Sequence, residues 1–275
     1  MSSDYTYERA EVLLKVTGLC VNYSLPILRD VNIEIRDIKR PGITQGQKVA
    51  LLAPSGTGKT QLFKRLSGLL PPSSGTVLIG IDQTPVKAGM VGIVPQNYLL
   101  FGHRTVESSL LLAAGMREKN STTAKAKVLE LLEQFGLADK RHVYPQELSG
   151  GQRQRISIAE QLLSSNHFLL MDEPFSGLDI IAKKTVCDVI DAVSSRDELN
   201  TTIFSTHDIE SAVMIADTIL ILGRDKDVHG MPVPGARIQQ TIDLIERNLA
   251  WHTDVEHMPN FVSTVQEIKS IFTTL

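Results

Sequence analysis

The sequence predicts an α/β fold with a largely parallel sheet, and three observations carry that prediction. Short apolar runs suited to buried strands, Val49-Ala50-Leu51-Leu52, Phe168-Leu169-Leu170-Met171 and Thr218-Ile219-Leu220-Ile221-Leu222, recur between stretches of helical periodicity. The first run feeds a glycine-rich octet, Ala53-Pro54-Ser55-Gly56-Thr57-Gly58-Lys59-Thr60, which opens a helix marked by Leu62, Phe63, Leu66, Leu69 and Leu70. Ahead of both, Val31-Asn32-Ile33-Glu34-Ile35 alternates with period two, so a β-rich segment precedes the α/β part.

The octet has the chemistry of a phosphate cradle. Its glycines let successive N–H groups curl around an anion, and the helix N-terminus adds partial positive charge. In that geometry Lys59 reaches the β- and γ-phosphates of a nucleotide, and the Thr60 hydroxyl is a ligand for Mg²⁺. Ala53 stands where the usual pattern has glycine. Alanine is tolerated there at negative φ and costs roughly 1 kcal/mol or more at positive φ.

Composition limits the alternatives. A chain of 275 residues with 42% hydrophobic content is enough for one large domain, or a domain with a subdomain. A net charge of −3 gives no electrostatic footprint for nucleic acid. Cys20 and Cys187 are far apart, without metal-ligand spacing, and read as reduced thiols of a cytosolic protein. The polar start does not read as a signal peptide, and no apolar run reaches the length of a membrane span. Asn120-Ser121-Thr122 and Asn200-Thr201-Thr202 match the glycosylation pattern but read as plain loop residues.

In chain order, residues 1–10 read as frayed, and 12–16 and 19–21 as two strands. Tyr23 follows; it is either a stacking surface for a nucleotide base or a half-buried core tyrosine. Residues 37–47, with Pro41, Gly42 and Gly46, read as a loop. Strands are expected at 76–79 and 90–94. Residues 97–165 read as a mostly helical insertion, in which Val128, Leu131, Leu132 and Phe135 form one face and Gly136 the stop. A strand is expected at 201–205, and a loop from 225 to 235. Residues 242–249 and 261–272 read as two amphipathic helices. His252 and His257, between them, are a possible metal pair or solvated and capping residues.

A second constellation lies downstream. Leu148-Ser149-Gly150-Gly151-Gln152 opens another helix with a capping serine and two glycines, a second anion-binding geometry. Asp172-Glu173 closes an apolar strand, and His207 closes the strand at 201–205. With these residues the sequence resembles the ATP-binding-cassette (ABC) ATPases. Residues 148–152 are identical to that family's signature motif. The order matches as well: base-stacking Tyr23, Walker A at 53–60, Q-loop Gln96, signature, Walker B at 168–173, D-loop Ser176-Gly177-Leu178-Asp179 and switch His207. The resemblance covers about residues 11–224. Ala53 departs from the family pattern, as does Glu160-Gln161 where Ala-Arg-Ala is more usual.

The resemblance implies a P-loop NTPase cassette at 1–224, with an antiparallel β subdomain and a helical signature subdomain at about 97–165, followed by a C-terminal loop and helical appendage at 225–275. It implies two cassettes packed head to tail, homo- or heteromeric, around two ATP molecules. Each ATP would be held by Tyr23, Pro54, Ser55, Gly56, Thr57, Gly58, Lys59, Thr60 and Gln61 of one subunit. Ser149, Gly150, Gly151 and Gln152 of the other would close it, with Asp179 crossing the interface. Thr60, Gln96 and Asp172 would hold Mg²⁺, Glu173 would act as general base, and His207 would contact the γ-phosphate.

The partners implied are transmembrane permease subunits and a solute-binding protein, with the chain peripheral on the cytoplasmic face of the cell membrane. Tyr98, Leu99, Leu100 and Phe101 suit a permease contact and would look the same as plain core. Residues 244–252 with 101–106 resemble the nitrate/sulfonate/taurine uptake branch. The alternative is a soluble ABC ATPase without permease, such as an iron–sulfur assembly ATPase.

Overall fold

The structure, a computed structural model, describes residues 6–165, 167–252 and 254–275. Two sheets organise it. The first is antiparallel and built from β1 (Glu8–Asn22), β2 (Pro26–Lys39), β4 (Ser74–Ile79) and β5 (Thr84–Pro85), in the order β2-β1-β4-β5. The second contains β3 (Gln47–Leu52), β6 (Gly92–Val94), β7 (Phe168–Asp172), β8 (Thr201–Thr206), β9 (Thr218–Gly223) and β10 (Arg237–Asp243). Its order is β10-β9-β3-β8-β7-β6, parallel throughout except for β10, which runs antiparallel to β9.

Alternation along the parallel strands divides the core in two. Leu51 of β3, Leu170 of β7, Ile203 of β8 and Leu220 of β9 face a layer shared with Leu14, Leu28 and Val31 of the antiparallel sheet and with Leu62 and Leu66 of α1 (Lys59–Leu66). Leu52, Met171, Phe204 and Ile221 face the opposite layer. There they meet α2 (Val106–Gly115), α3 (Ser121–Gln134), α4 (Gly150–Ser164), α5 (Ile180–Ser194), α6 (Ile209–Ile215) and α7 (Pro259–Thr274). Strands buried on both faces must be apolar at nearly every position, which is why these runs lack a polar alternation.

Several boundaries differ from the sequence reading. The strands expected at 12–16 and 19–21 form one strand, β1, whose pairing with β2 shifts register on either side of Gly18. Residues 8–10 belong to that strand rather than fraying; residues 1–5 lie outside the described residues. Strand β2 extends through 37–39, part of the expected loop, because Ile38 and Lys39 pair with Arg9 and Glu8 of β1; buried Asp37 accepts a hydrogen bond from Gln47 Nε2 at 3.0 Å. The strand expected at 90–94 is shorter, Gly92–Val94.

The main correction concerns 242–249, which is not a helix. Ile242 lies within β10, one residue before its end, and pairs with Ile219, while Leu249 N–H donates to Leu244 O in a turn. The spacing of Ile242, Ile245 and Leu249 fits a helix, but β9 would otherwise present a bare edge, and pairing satisfies it. The segment 225–275, expected as loop and helices, therefore contributes a strand to the main sheet, and Leu244, Ile245, Leu249 and Val265 join its core.

Candidate functional site

The parallel strands end at one rim, and the expected site residues leave from there. After β3 the chain turns through residues 53–60 into α1. Ala53 is fully buried and is not among the described residues with positive φ, so alanine fits without backbone strain. Gly58 has φ 102°, and a Cβ there would lie 2.8 Å from Ile27 Cγ2. That position therefore requires glycine both for its left-handed backbone and for its closeness to β2. Thr57 Oγ1 donates to Pro54 O at 2.7 Å and pins the loop, while Ser55 and Gly56 are exposed at its tip. No side chain caps the N-terminus of α1, so its first N–H groups are available to an anion.

At the rim Lys59 Nζ donates to Ala53 O at 3.0 Å and pairs with Glu173 Oε1 at 2.6 Å. Both side chains of that pair are about nine-tenths buried, at 10% and 12% exposure. The other oxygen of Glu173 lies 2.9 Å from His207 Nδ1. Glu173 has φ 51°, a left-handed backbone that costs a non-glycine residue roughly 1 kcal/mol or more. Its N–H is held by Ser205 O and Ser205 Oγ, each at 3.1 Å. The turn after β7 thus aims the carboxylate between a lysine and a histidine that belong to two other strand ends.

Asp172 supplies a neighbouring pole. Thr60 Oγ1 donates to Asp172 Oδ2 at 2.9 Å, and Ser205 Oγ donates to Asp172 Oδ1 at 2.6 Å. Thr60 and Asp172 therefore present adjacent oxygen donors, the chemistry a hard divalent cation takes. Gln96, expected with them, is exposed and donates instead to Ser176 Oγ at 3.1 Å. Among the described residues no group of three or more His, Cys, Asp or Glu side chains is placed to hold a metal, so His252 and His257 form no such cluster.

Tyr23 is 59% exposed, which removes the alternative of a half-buried core tyrosine. It stands over α1, and its hydroxyl donates to Gln61 Oε1 at 3.1 Å.

The second constellation stands apart. Ser149 Oγ accepts from Gln152 N–H at 3.3 Å, and Gln152 Oε1 accepts from Ser149 N–H at 2.9 Å, a reciprocal cap on α4. Gln154, buried beneath it, donates to Pro174 O at 3.0 Å and ties this helix to the turn that follows Glu173. Gly150 and Gly151 are exposed, and among the described residues no hydrogen bond or ion pair joins 149–152 to 53–60. Asp179 is exposed and caps α5 by accepting from Ala182 N–H at 2.8 Å.

Three contributors escaped the sequence reading. Ser205 is fully buried and touches both acids; in a strand that also carries Thr201, Thr202 and Thr206, nothing in the sequence singled it out. Arg224 Nη2 donates to Gly56 O at 3.2 Å from the end of β9. Arg65, buried on α1, reaches both Gln61 and Tyr23. Nothing in their spacing marks the last two.

Residues 40–176 match the family described as ABC transporter. The chain is 38% identical over 225 residues to the sulfate/thiosulfate import ATP-binding protein CysA of Vibrio vulnificus, covering 77% of this chain and 61% of that protein. It is 35% identical over 221 residues to CysA 1 of Agrobacterium fabrum, covering 78% of this chain and 61% of that protein. The chain thus spans about three-fifths of the length of these relatives. They are named for sulfate/thiosulfate import, not for nitrate, sulfonate or taurine. Among solved structures, CbiO1 of Clostridium perfringens superposes with a TM-score of 0.72 at 23% identity, over 96% of this chain and 98% of that one. The ATP-binding cassette MJ0796, in a dimeric post-hydrolysis state bound to ADP and Pi, superposes with a TM-score of 0.67 at 21% identity, over 84% of this chain and 99% of that one. At those identities the two structures speak for the fold.

Proposed function

Because this chain belongs to the ABC transporter family, we propose that it binds and hydrolyses ATP as the cytoplasmic-face subunit of a membrane importer. The observation that carries the reading is the placement of Glu173. Its carboxylate sits between Lys59 and His207 and beside Thr60 and Asp172, at the rim where three strands end. A phosphate-binding loop beside a carboxylate that faces a histidine suits water attack on a terminal phosphate.

The parts divide the work. The N–H groups of 54–60 cradle the phosphates, and Lys59 leaves Glu173 for the β- and γ-phosphates when nucleotide arrives. Freed of the lysine, Glu173 accepts a proton from the attacking water. His207 holds that carboxylate in position and contacts the γ-phosphate. Tyr23 stacks on the base. Mg²⁺, when bound, neutralises charge on the phosphate oxygens; Thr60 and Asp172 would hold it, with Gln96 joining only after leaving Ser176.

The separation of 149–152 from 53–60 supports a second copy, or a homologous subunit, closing each site. Ser149, Gly150 and Gly151 of one subunit would then face the ATP held by the other. Asp179, exposed beside them, would lie at that contact. Among the described residues no helix is long and apolar enough to cross a membrane; the transport reading assigns the membrane-spanning part to permease subunits. A solute-binding protein fits the importer reading. Exposed Leu99 and Phe101, next to Gln96, suit the permease contact. The relatives' names favour import and suggest a small oxyanion such as sulfate as cargo. The domain division proposed is a cassette through residue 224, with 225–275 completing its sheet edge.

The test is affinity capture of the chain from detergent-solubilised native membranes, with partners identified by mass spectrometry. A multi-spanning permease is the expected companion. Capture of soluble proteins alone, with the chain absent from membranes, would overturn the importer reading and leave the ATPase reading standing.

A further inference from the structure

The base end of the site contains a closed hydrogen-bonded ring that no motif describes. Arg65, on the second turn of α1, is 5% exposed. Its Nη2 donates to Tyr23 Oη at 3.3 Å, and its Nη1 donates to Gln61 Oε1 and, at 3.3 Å, to Gln61 O. The Tyr23 hydroxyl, accepting from Arg65, donates in turn to Gln61 Oε1 at 3.1 Å. Three side chains from two segments are thus hydrogen-bonded to one another, and the guanidinium also lies 6.0 Å from the tyrosine ring centroid.

Tyr23 needs such a restraint. It sits in the short connection between β1 and β2, and its ring is mostly exposed. An exposed tyrosine on a loop samples several rotamers, and fixing one on binding costs ordering free energy. A buried arginine on a rigid helix meets that cost in the folded protein, before any ligand arrives. The same ring fixes Gln61.

We propose that Arg65 is a positioning residue for nucleotide recognition: it locks Tyr23 as a preformed stacking platform. The proposal rests on the reading of Tyr23 as the base-stacking residue. Arg65 acts through Tyr23 and does not itself touch the nucleotide, so its effect belongs to the base and not to the phosphate chain.

Equilibrium binding of two probes, ATP and inorganic tripolyphosphate, to the full chain tests this. Arg65→Met should weaken ATP by about tenfold and leave tripolyphosphate unchanged, with Arg65→Lys recovering part of the loss. Because Arg65 is buried, the independent variant is Tyr23→Phe, which keeps the ring and removes the lock at an exposed residue. It should weaken ATP by roughly three- to tenfold, again with tripolyphosphate unchanged. In the background of Tyr23→Ala, Arg65→Met should add little. Wild-type ATP affinity in Tyr23→Phe, equal weakening of both probes, or additive losses in the double variant would each overturn the lock. A wild-type chain that binds ATP no better than tripolyphosphate, with Tyr23→Ala unchanged, would instead overturn the base-stacking reading on which it rests.

Discussion

Lys59 Nζ lies 2.6 Å from Glu173 Oε1, so the lysine and the carboxylate neutralise each other. The pair is mostly buried, where an unpaired charge is costly. In the proposed function, phosphate binding would exchange this ion pair for a stronger one and so free Glu173 to act as a base. The two residues would then be coupled: a ligand that claims Lys59 would also release Glu173.

Replacing Glu173 with Gln should leave ATP binding intact and reduce turnover by at least about a hundredfold, the usual scale for removing a general base. The variant should also accumulate as a nucleotide-bound dimer on size exclusion. Steady-state hydrolysis near the wild-type rate would remove Glu173 from that role.

Lys59→Ala should weaken ATP by more than tenfold, because a charge-assisted contact to phosphate is lost. It also leaves Glu173 without its cation, so the apo protein should melt at lower temperature. Titration calorimetry and a thermal melt read the two effects separately. Unchanged ATP affinity would show that Lys59 does not bind phosphate.

Gly151→Asp places a carboxylate at the start of α4, where the second subunit's nucleotide would lie. ATP binding to the monomer should persist while hydrolysis stops. In a mixed dimer with one wild-type subunit, the variant should silence the site it closes in its partner. Two fully active sites in that dimer would be incompatible with closure from the opposite subunit.

Glu160 offers a stability prediction with a definite sign. It is 8% exposed on α4, its Oε1 has no hydrogen-bond partner among the described residues, and burial raises its pKa from 4.5 to about 7. The folded state therefore binds more protons than the unfolded state between about pH 4.5 and 7, and this group's contribution makes stability fall as pH rises through that window. Above pH 7 the penalty is constant, on the order of 1–3 kcal/mol. Glu160→Gln should raise the melting temperature at pH 8 and change it little at pH 4.5. An equal shift at both values would assign the effect to packing instead of charge.

Deleting 236–275 removes β10 and α7 and strips β9 of its antiparallel partner. The bare edge and the apolar positions around Ile219 and Ile221 should make the truncated chain aggregate. A soluble, monodisperse product on size exclusion would show that the parallel strands stand without this cover.

The sequence by itself determined the motifs and the alternation of strands with helices. It did so because phosphate cradling, helix capping and two-sided burial each demand particular residue types at short, fixed spacings. Ala53 to Thr60, Leu148 to Gln152 and the run ending in Asp172-Glu173 are local devices, and they are legible as such. The tertiary structure alone decided how they meet. The spacing of Ile242, Ile245 and Leu249 suits a helix, yet Ile242 lies in a strand because β9 needed a partner, a long-range requirement invisible in a short window. Ser205 became the link between Asp172 and Glu173 only through the pairing of β7 with β8. Arg65 and Tyr23, far apart in sequence, meet only because the antiparallel sheet packs on the face of the main sheet that carries α1. Spacing encodes chemistry within a turn or two of chain; contacts between distant segments are set by which surfaces must be buried together.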